Sequence, residues 1–147
     1  MQSDGAHAAS ASADVRNFNW LLSSFVDTTP GVTDAVAVSS DGLLMAMSSS
    51  LERAGAEQLS AIIAGMTSLA ESTARCFARG DLEQVIIAMQ DGYLFVSSVS
   101  DGSSLGVVAD RRCDVGAVGY QMTLLVERVG AALSPSLVAE LKESVLQ

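Results

Sequence analysis

The apolar positions along this chain change period several times, and each change marks an element. From Val15 onward they recur at three- and four-residue steps (Val15, Phe18, Leu22, Phe25, Val26), which gathers them on one face of a helix. Asp14 is placed to cap that helix and Pro30-Gly31 to end it. "VTDAVAVSS" and "DGLLMAMSSS" then read as a hairpin turning at Asp41-Gly42, because Asp-Gly readily takes the positive φ angles of a tight two-residue turn. The same dipeptide returns at Asp91-Gly92 and Asp101-Gly102, joining "LEQVIIAMQ", "YLFVSSVS" and "SLGVVAD" into a meander.

The strands do not alternate cleanly between apolar and polar residues. Leu43, Leu44, Met45, Ala46 and Met47 are apolar in succession, the pattern of a sheet covered on both faces. Between the hairpin and the meander, roughly from Glu52 to Arg79, Leu59, Ile62, Ile63, Met66, Ala70, Thr73 and Phe77 fall on one broad helical face, expected to cover the sheet. About 125° around that helix, at ~100° per residue, runs a stripe of small residues: Ala54, Ala61, Gly65, Ser68 and Ser72. Such a stripe either faces solvent or lets a second helix approach closely, and a mid-helix glycine, which costs ~1 kcal/mol relative to alanine, favours close approach.

After the meander, Asp114 is placed to cap a helix carrying Val115, Val118, Met122, Leu125, Val126, Val129 and Leu133 at helical spacing. "SPSLVAELKESVLQ" reads as a short amphipathic helix with Ser134 as cap and Pro135 at the first helical position. The order is helix, two strands, long helix, three strands, helix, helix. An α+β fold follows: a five-stranded antiparallel sheet with helices on both faces.

Length changes this picture little: 147 residues suit one domain. Residues 1–13 are small and polar and read as a disordered tail, with no basic, apolar start of the secretory kind; the domain body is expected over 14–133, with 134–147 as a helical extension. Charge is more restrictive. Seventeen acids against eight bases give a net charge of −9, which repels nucleic-acid phosphates and anionic membrane surfaces and favours a partner with a basic face. No apolar run reaches the ~18 residues of a membrane span, and a cytoplasmic location is expected.

Candidate chemistry is sparse. The single histidine, His7, lies in the tail; Cys76 and Cys113 belong to no C-x-x-C pair and read as buried filler. Acidic residues fall at turns and helix starts. "DVGAVG" lacks the phosphate-loop lysine and the G-x-G-x-x-G spacing, so Gly116 and Gly119 are expected to serve close helix packing instead. No catalytic residue, cofactor or metal site is expected. Arg111-Arg112 stands before a helix start, where positive charge opposes the macrodipole. The pair reads either as solvated charge or as a contact to an acidic partner or a partner-held nucleotide.

Taken together, "FNWLLSSFVDTTPGVTDAVAVSSDGLLMAMS", "LEQVIIAMQDGYLFVSSVSDGSSLGVVAD" and "CDVGAVGYQMTLLVERVG" resemble the roadblock/LC7 proteins. The resemblance is closest to the actinobacterial conservon-type subgroup, encoded beside a histidine-kinase-like protein and a small Ras-like GTPase. It implies a profilin-like or longin-like fold with strand order 2-1-5-4-3. It also implies a homodimer in which third strands pair edge to edge and long helices pack together. Ala61, Gly65, Ser68, Ser72, Val85 and Ile87 would then line the interface. The implied function is a non-catalytic regulator or scaffold of a small Ras-like GTPase, with the histidine-kinase-like protein as a further partner and recruitment to the membrane left to a partner. The alternative is a ligand-sensing domain of PAS or GAF type, which requires a concave pocket with convergent polar groups.

Overall fold

The computed structural model describes residues 12–147. Its order is α1 (Ala13–Thr28), β1 (Val32–Val38), β2 (Leu44–Met47), α2 (Arg53–Cys76), β3 (Gln84–Met89), β4 (Gly92–Ser98), β5 (Ser104–Asp110), α3 (Val115–Ala132) and α4 (Pro135–Val145). The strands form one antiparallel sheet in the order β2-β1-β5-β4-β3, as expected.

Two apolar layers explain why the strands lack alternation. Ala35, Ala37, Phe95, Leu105 and Val107 point to one face, under Phe18, Leu22 and Phe25 of α1 and Val118, Met122 and Leu125 of α3. Their strand neighbours Val36, Val38, Leu94 and Val96 point to the other face, under Ala56 and Ile63 of α2. Successive side chains leave a strand on opposite sides, so a sheet buried on both sides reads as an unbroken apolar run.

Three of the four described helix starts carry a side-chain cap, one of them at a residue other than the expected one, while Glu52 before α2 makes no capping hydrogen bond. Asp114 Oδ1 accepts from Ala117 N at 3.0 Å, and Ser134 Oγ accepts from Leu137 N at 3.1 Å. At α1 the cap is Ser12, whose Oγ accepts from Val15 N at 3.2 Å, while Asp14 sits in the first turn, where its charge meets the positive helix end. Ser12 and Ala13, expected in the tail, thus belong to the start of this helix; residues 1–11, with His7, lie outside the described residues.

Two of the three turns differ from the two-residue form, and the other keeps it one residue earlier than Asp-Gly suggests. At the first hairpin, Gly42 N donates to Ser39 O (2.9 Å) and Ser39 N to Leu43 O (2.8 Å), with Gly42 at φ +84°. The third turn repeats this with Val99, Ser103 and Gly102 at φ +90°. Both are three-residue turns closed by a left-handed glycine. At the second, Met89 pairs with Gly92, so the turn is Gln90-Asp91 and Gly92 belongs to β4. There, a Cβ would stand 2.6 Å from Ala109 O, so close backbone approach sets that glycine.

The inner face of α2 is rotated from the expected one. Ala56, Ser60 and Ile63 are buried, with Leu59 and Met66 packed beside them, whereas Ile62, Thr73 and Phe77 are exposed. Gly106 on β5 explains the rotation: a Cβ there would collide with Ile63 Cδ1, so its absence lets α2 lie close to the sheet along its smallest inward line. Ser60 satisfies its buried hydroxyl on Ala56 O at 2.8 Å.

α4 is folded onto the body. Leu137 and Leu141 join the layer under α1, Val145 packs against the layer under α2, and Lys142 Nζ meets Asp41 Oδ2 at 3.2 Å. The helix therefore lies at the β2 end of the sheet. Among the described residues no single helix is long and apolar enough to cross a membrane.

Candidate functional site

The sheet's other end is open. Among the described residues β3 pairs with β4 alone, and the register Met89↔Gly92 together with the bond from Ser98 N to Glu83 O (3.1 Å) fixes which backbone groups are used. In an antiparallel ladder, hydrogen-bonded and non-bonded pairs alternate. The groups of Val85, Ile87 and Met89 therefore turn to β4, and those of Gln84, Ile86 and Ala88 turn outward. Val85 and Ile87 lean toward the α2 layer and are half-buried, while Ile86 points to the α3 side and is 46% exposed. An edge of this kind, apolar on both faces and without lysine, is a template for another strand.

Above it, the outer face of α2 continues the same surface. Ala61, Gly65, Ser68 and Ser72 are exposed, and a Cβ on Gly65 would meet nothing within 4 Å. The stripe is not made of small residues alone. Leu69 is 73% exposed, Ile62 48% and Phe77 66%, so large apolar side chains stand along one side of the small ones. Leu69 was missed in the sequence. The available signal was its position ~20° around the helix from Ile62, at ~100° per residue, beside Gly65.

Phe77 is held outward by the way α2 ends. Arg79 N donates to Ala74 O (3.0 Å) and Ala78 N to Arg75 O (3.2 Å), a paired closure that puts its turning residue in the left-handed region. That residue is Ala78, at φ +51°, not a glycine. A shallow groove of about 810 Å³ separates this turn from β3, lined among others by Ala70, Thr73, Phe77, Leu82 and Val85.

The two arginines part company. Arg111 lies with its guanidinium carbon 5.1 Å from the Tyr93 ring centroid and donates from Nη1 to Met89 O at 3.3 Å, tying the end of β3 to β4. Arg112 is exposed, and its backbone N–H donates to Asp110 Oδ1. Gly116 and Gly119 do not serve close helix packing: a Cβ at either would make only ordinary contacts, with Asp114 Oδ1 at 3.5 Å and Gln84 Oε1 at 3.8 Å.

Reactive chemistry does not converge among the described residues. No group of three or more His, Cys, Asp or Glu stands close enough to hold a metal ion. Cys76 is a free, exposed thiol, contrary to its expected burial, at the last residue of α2, a helix with no buried residue after Ile63. Cys113 is free and half-buried; burial, then the nearby Asp110 and Asp114, raise its pKa, which suppresses the thiolate a nucleophile requires.

What converges is an unpaired strand edge beside an exposed apolar helix face. A model of the Roadblock/LC7 domain matches residues 18–109. The chain belongs to the Roadblock/LC7 family. A crystal structure of a Roadblock/LC7 domain from Streptomyces avermitilis is 36% identical, with a TM-score of 0.72, over 76% of this chain and 92% of that one. MglB of Myxococcus xanthus shares the fold at 14% identity, with a TM-score of 0.72, over 78% of this chain and 93% of that one. Profilin IA of Acanthamoeba castellanii shares it more distantly, at 15% identity and a TM-score of 0.50, over 78% and 97% of the two chains. No curated protein matches the chain significantly.

Proposed function

We propose that this Roadblock/LC7 domain is a homodimeric, non-catalytic regulator or scaffold for a small Ras-like GTPase in a signalling complex. The observation that carries the dimer is the continuity of the open β3 edge with the exposed Ile62–Leu69–Phe77 stripe. A second copy related by a two-fold axis covers both at once: Gln84, Ile86 and Ala88 pair with their counterparts, and α2 packs on α2 with Gly65 and Ser68 allowing close approach. Val85 and Ile87 then continue the apolar layer across the joint.

The GTPase rests on membership of the family, whose resemblance implies partners of that class, and on the scarcity of reactive groups. With no nucleophile, base or metal site brought together among the described residues, an effect on the nucleotide state runs through the shape of the partner's switch loops. Arg112 is the candidate partner contact of the two arginines, because Arg111 is committed to Tyr93 and Met89. The complex is placed in the cytoplasm with a histidine-kinase-like protein as further member, any membrane recruitment being supplied by a partner.

The test uses the GTPase encoded beside this chain, loaded with GDP or with a non-hydrolysable GTP analogue. Binding that favours one state at least tenfold, without GTP turnover by this chain alone, is expected. Equal affinity for both states contradicts a nucleotide-state regulator.

A further inference from the structure

The sheet has two edges, and only one of them is open. β2 pairs with β1 alone, so its far side would present a second row of backbone groups. α4 occupies that side: Leu137 and Leu141 sit in the layer under α1, Val145 packs against the opposite layer, and Lys142 fastens the helix to Asp41 in the β1–β2 turn. The helix thus passes around the sheet margin from one face to the other.

Symmetry gives this placement a consequence. A chain that pairs with a copy of itself through one edge closes at two subunits, whereas a chain with two self-pairing edges adds copies without end. We propose that α4 sets the size of the assembly by sealing the β2 edge, a masked strand-pairing surface whose occupant, once α4 leaves, is β2 of a second copy of this chain. This rests on the dimer reading above, and β2 is suited to the role. The bond from Ser48 N to Ala35 O (2.8 Å) and the pair Ala37↔Ala46 mark the bonded positions of the β1–β2 ladder, so the backbone N–H of Met47, between them, turns away from β1 toward the margin that α4 covers.

The experiment measures mass by light scattering for the full chain and two variants that release α4. Leu141→Glu places a charge in the buried seat of the helix; Lys142→Glu with Val145→Glu acts from its half-buried C-terminal half. The expected result is two chains for the unaltered protein, four or more for the released variants with their helical circular dichroism kept, and a return to two when Met47→Pro is added. That proline removes the edge-facing donor without breaking the β1 ladder. Released variants that stay at two chains overturn the proposal, as do larger species that survive Met47→Pro. If Leu141→Glu fails to fold, the double variant decides by the same criteria. It is also read by hydrogen exchange at the Met47 amide, which is expected to be slower in the assembled variant, where that N–H is bonded across the β2–β2 seam, than in the same variant carried below its assembly concentration; equal rates overturn the proposal. Should the unaltered protein run as a single chain, the dimer reading fails by itself. The seal then predicts pairs from the released variants that Met47→Pro abolishes, and single chains throughout overturn it too.

Discussion

Leu69→Ala separates the dimer from the fold. The Leu69 side chain is 73% exposed on the single chain, so truncating it removes almost nothing from the chain's own core, and the monomer's stability is expected to change by less than about 0.5 kcal/mol. In the paired state the same side chain is covered. Removing three carbons at ~0.8 kcal/mol each, scaled to the exposed share, costs about 1.8 kcal/mol per copy. A two-fold interface contains the residue twice, which brings the cost to about 3.5 kcal/mol and weakens the dissociation constant roughly 400-fold. Sedimentation equilibrium over a concentration series measures that constant, with circular dichroism as the check on folding. A constant that moves by less than about threefold refutes the placement of Leu69 in the interface; loss of the native spectrum refutes its exposure on the single chain.

Three further outcomes follow from local geometry. Ala78→Gly relieves a left-handed alanine and is expected to stabilise the chain by about 0.5–1 kcal/mol, raising Tm by about 2–3 °C in a thermal melt; a lower Tm would show that the turn is unstrained. Gly106→Ala forces Ile63 Cδ1 aside and is expected to cost about 1–3 kcal/mol, read as a lower urea midpoint; an unchanged midpoint contradicts the close seat of α2. Asp41 has its pKa lowered, first by the Ser39 hydroxyl and then by Lys142. Its stabilising contribution is therefore complete above its ordinary value of 3.8 and lost as pH falls through the lowered folded value. The pair with Lys142 is largely solvent-exposed, so that contribution stays below about 1 kcal/mol. Asp41→Asn should remove this acid-side component from the pH dependence of urea unfolding, and a profile identical to that of the unaltered protein would contradict it.

The element order, the strand order and the burial of both sheet faces were legible because each has a periodic signature: Val15–Phe18–Leu22–Phe25 at helical steps, and Leu43–Met47 as an unbroken apolar run. The strand order came with the family resemblance, since periodicity says nothing about which strands touch. The rotation of α2 was not legible. It depends on Gly106, distant in sequence, admitting Ile63, and on a helix with no buried residue after Ile63, which exposes Leu69, Cys76 and Phe77, residue types that on average sit inside. Turn geometry failed for a related reason. Asp-Gly favours a turn, but the bonds of Ser39 with Gly42 and Leu43 decide which type, and at Gly92 the neighbouring backbone of β5 overrides the dipeptide altogether. The seat of α4 at the β2 margin was open in the sequence between a free arm and a helix folded back, because an amphipathic face does not name its partner.

One surface carries the proposed function: an unpaired sheet edge and an apolar helix face that a single chain leaves exposed. The mass of the unaltered protein in solution, measured by light scattering at micromolar concentration, tests it most directly. Twice the 15.2 kDa of one chain is the predicted result. A mass of one chain across that range would contradict it.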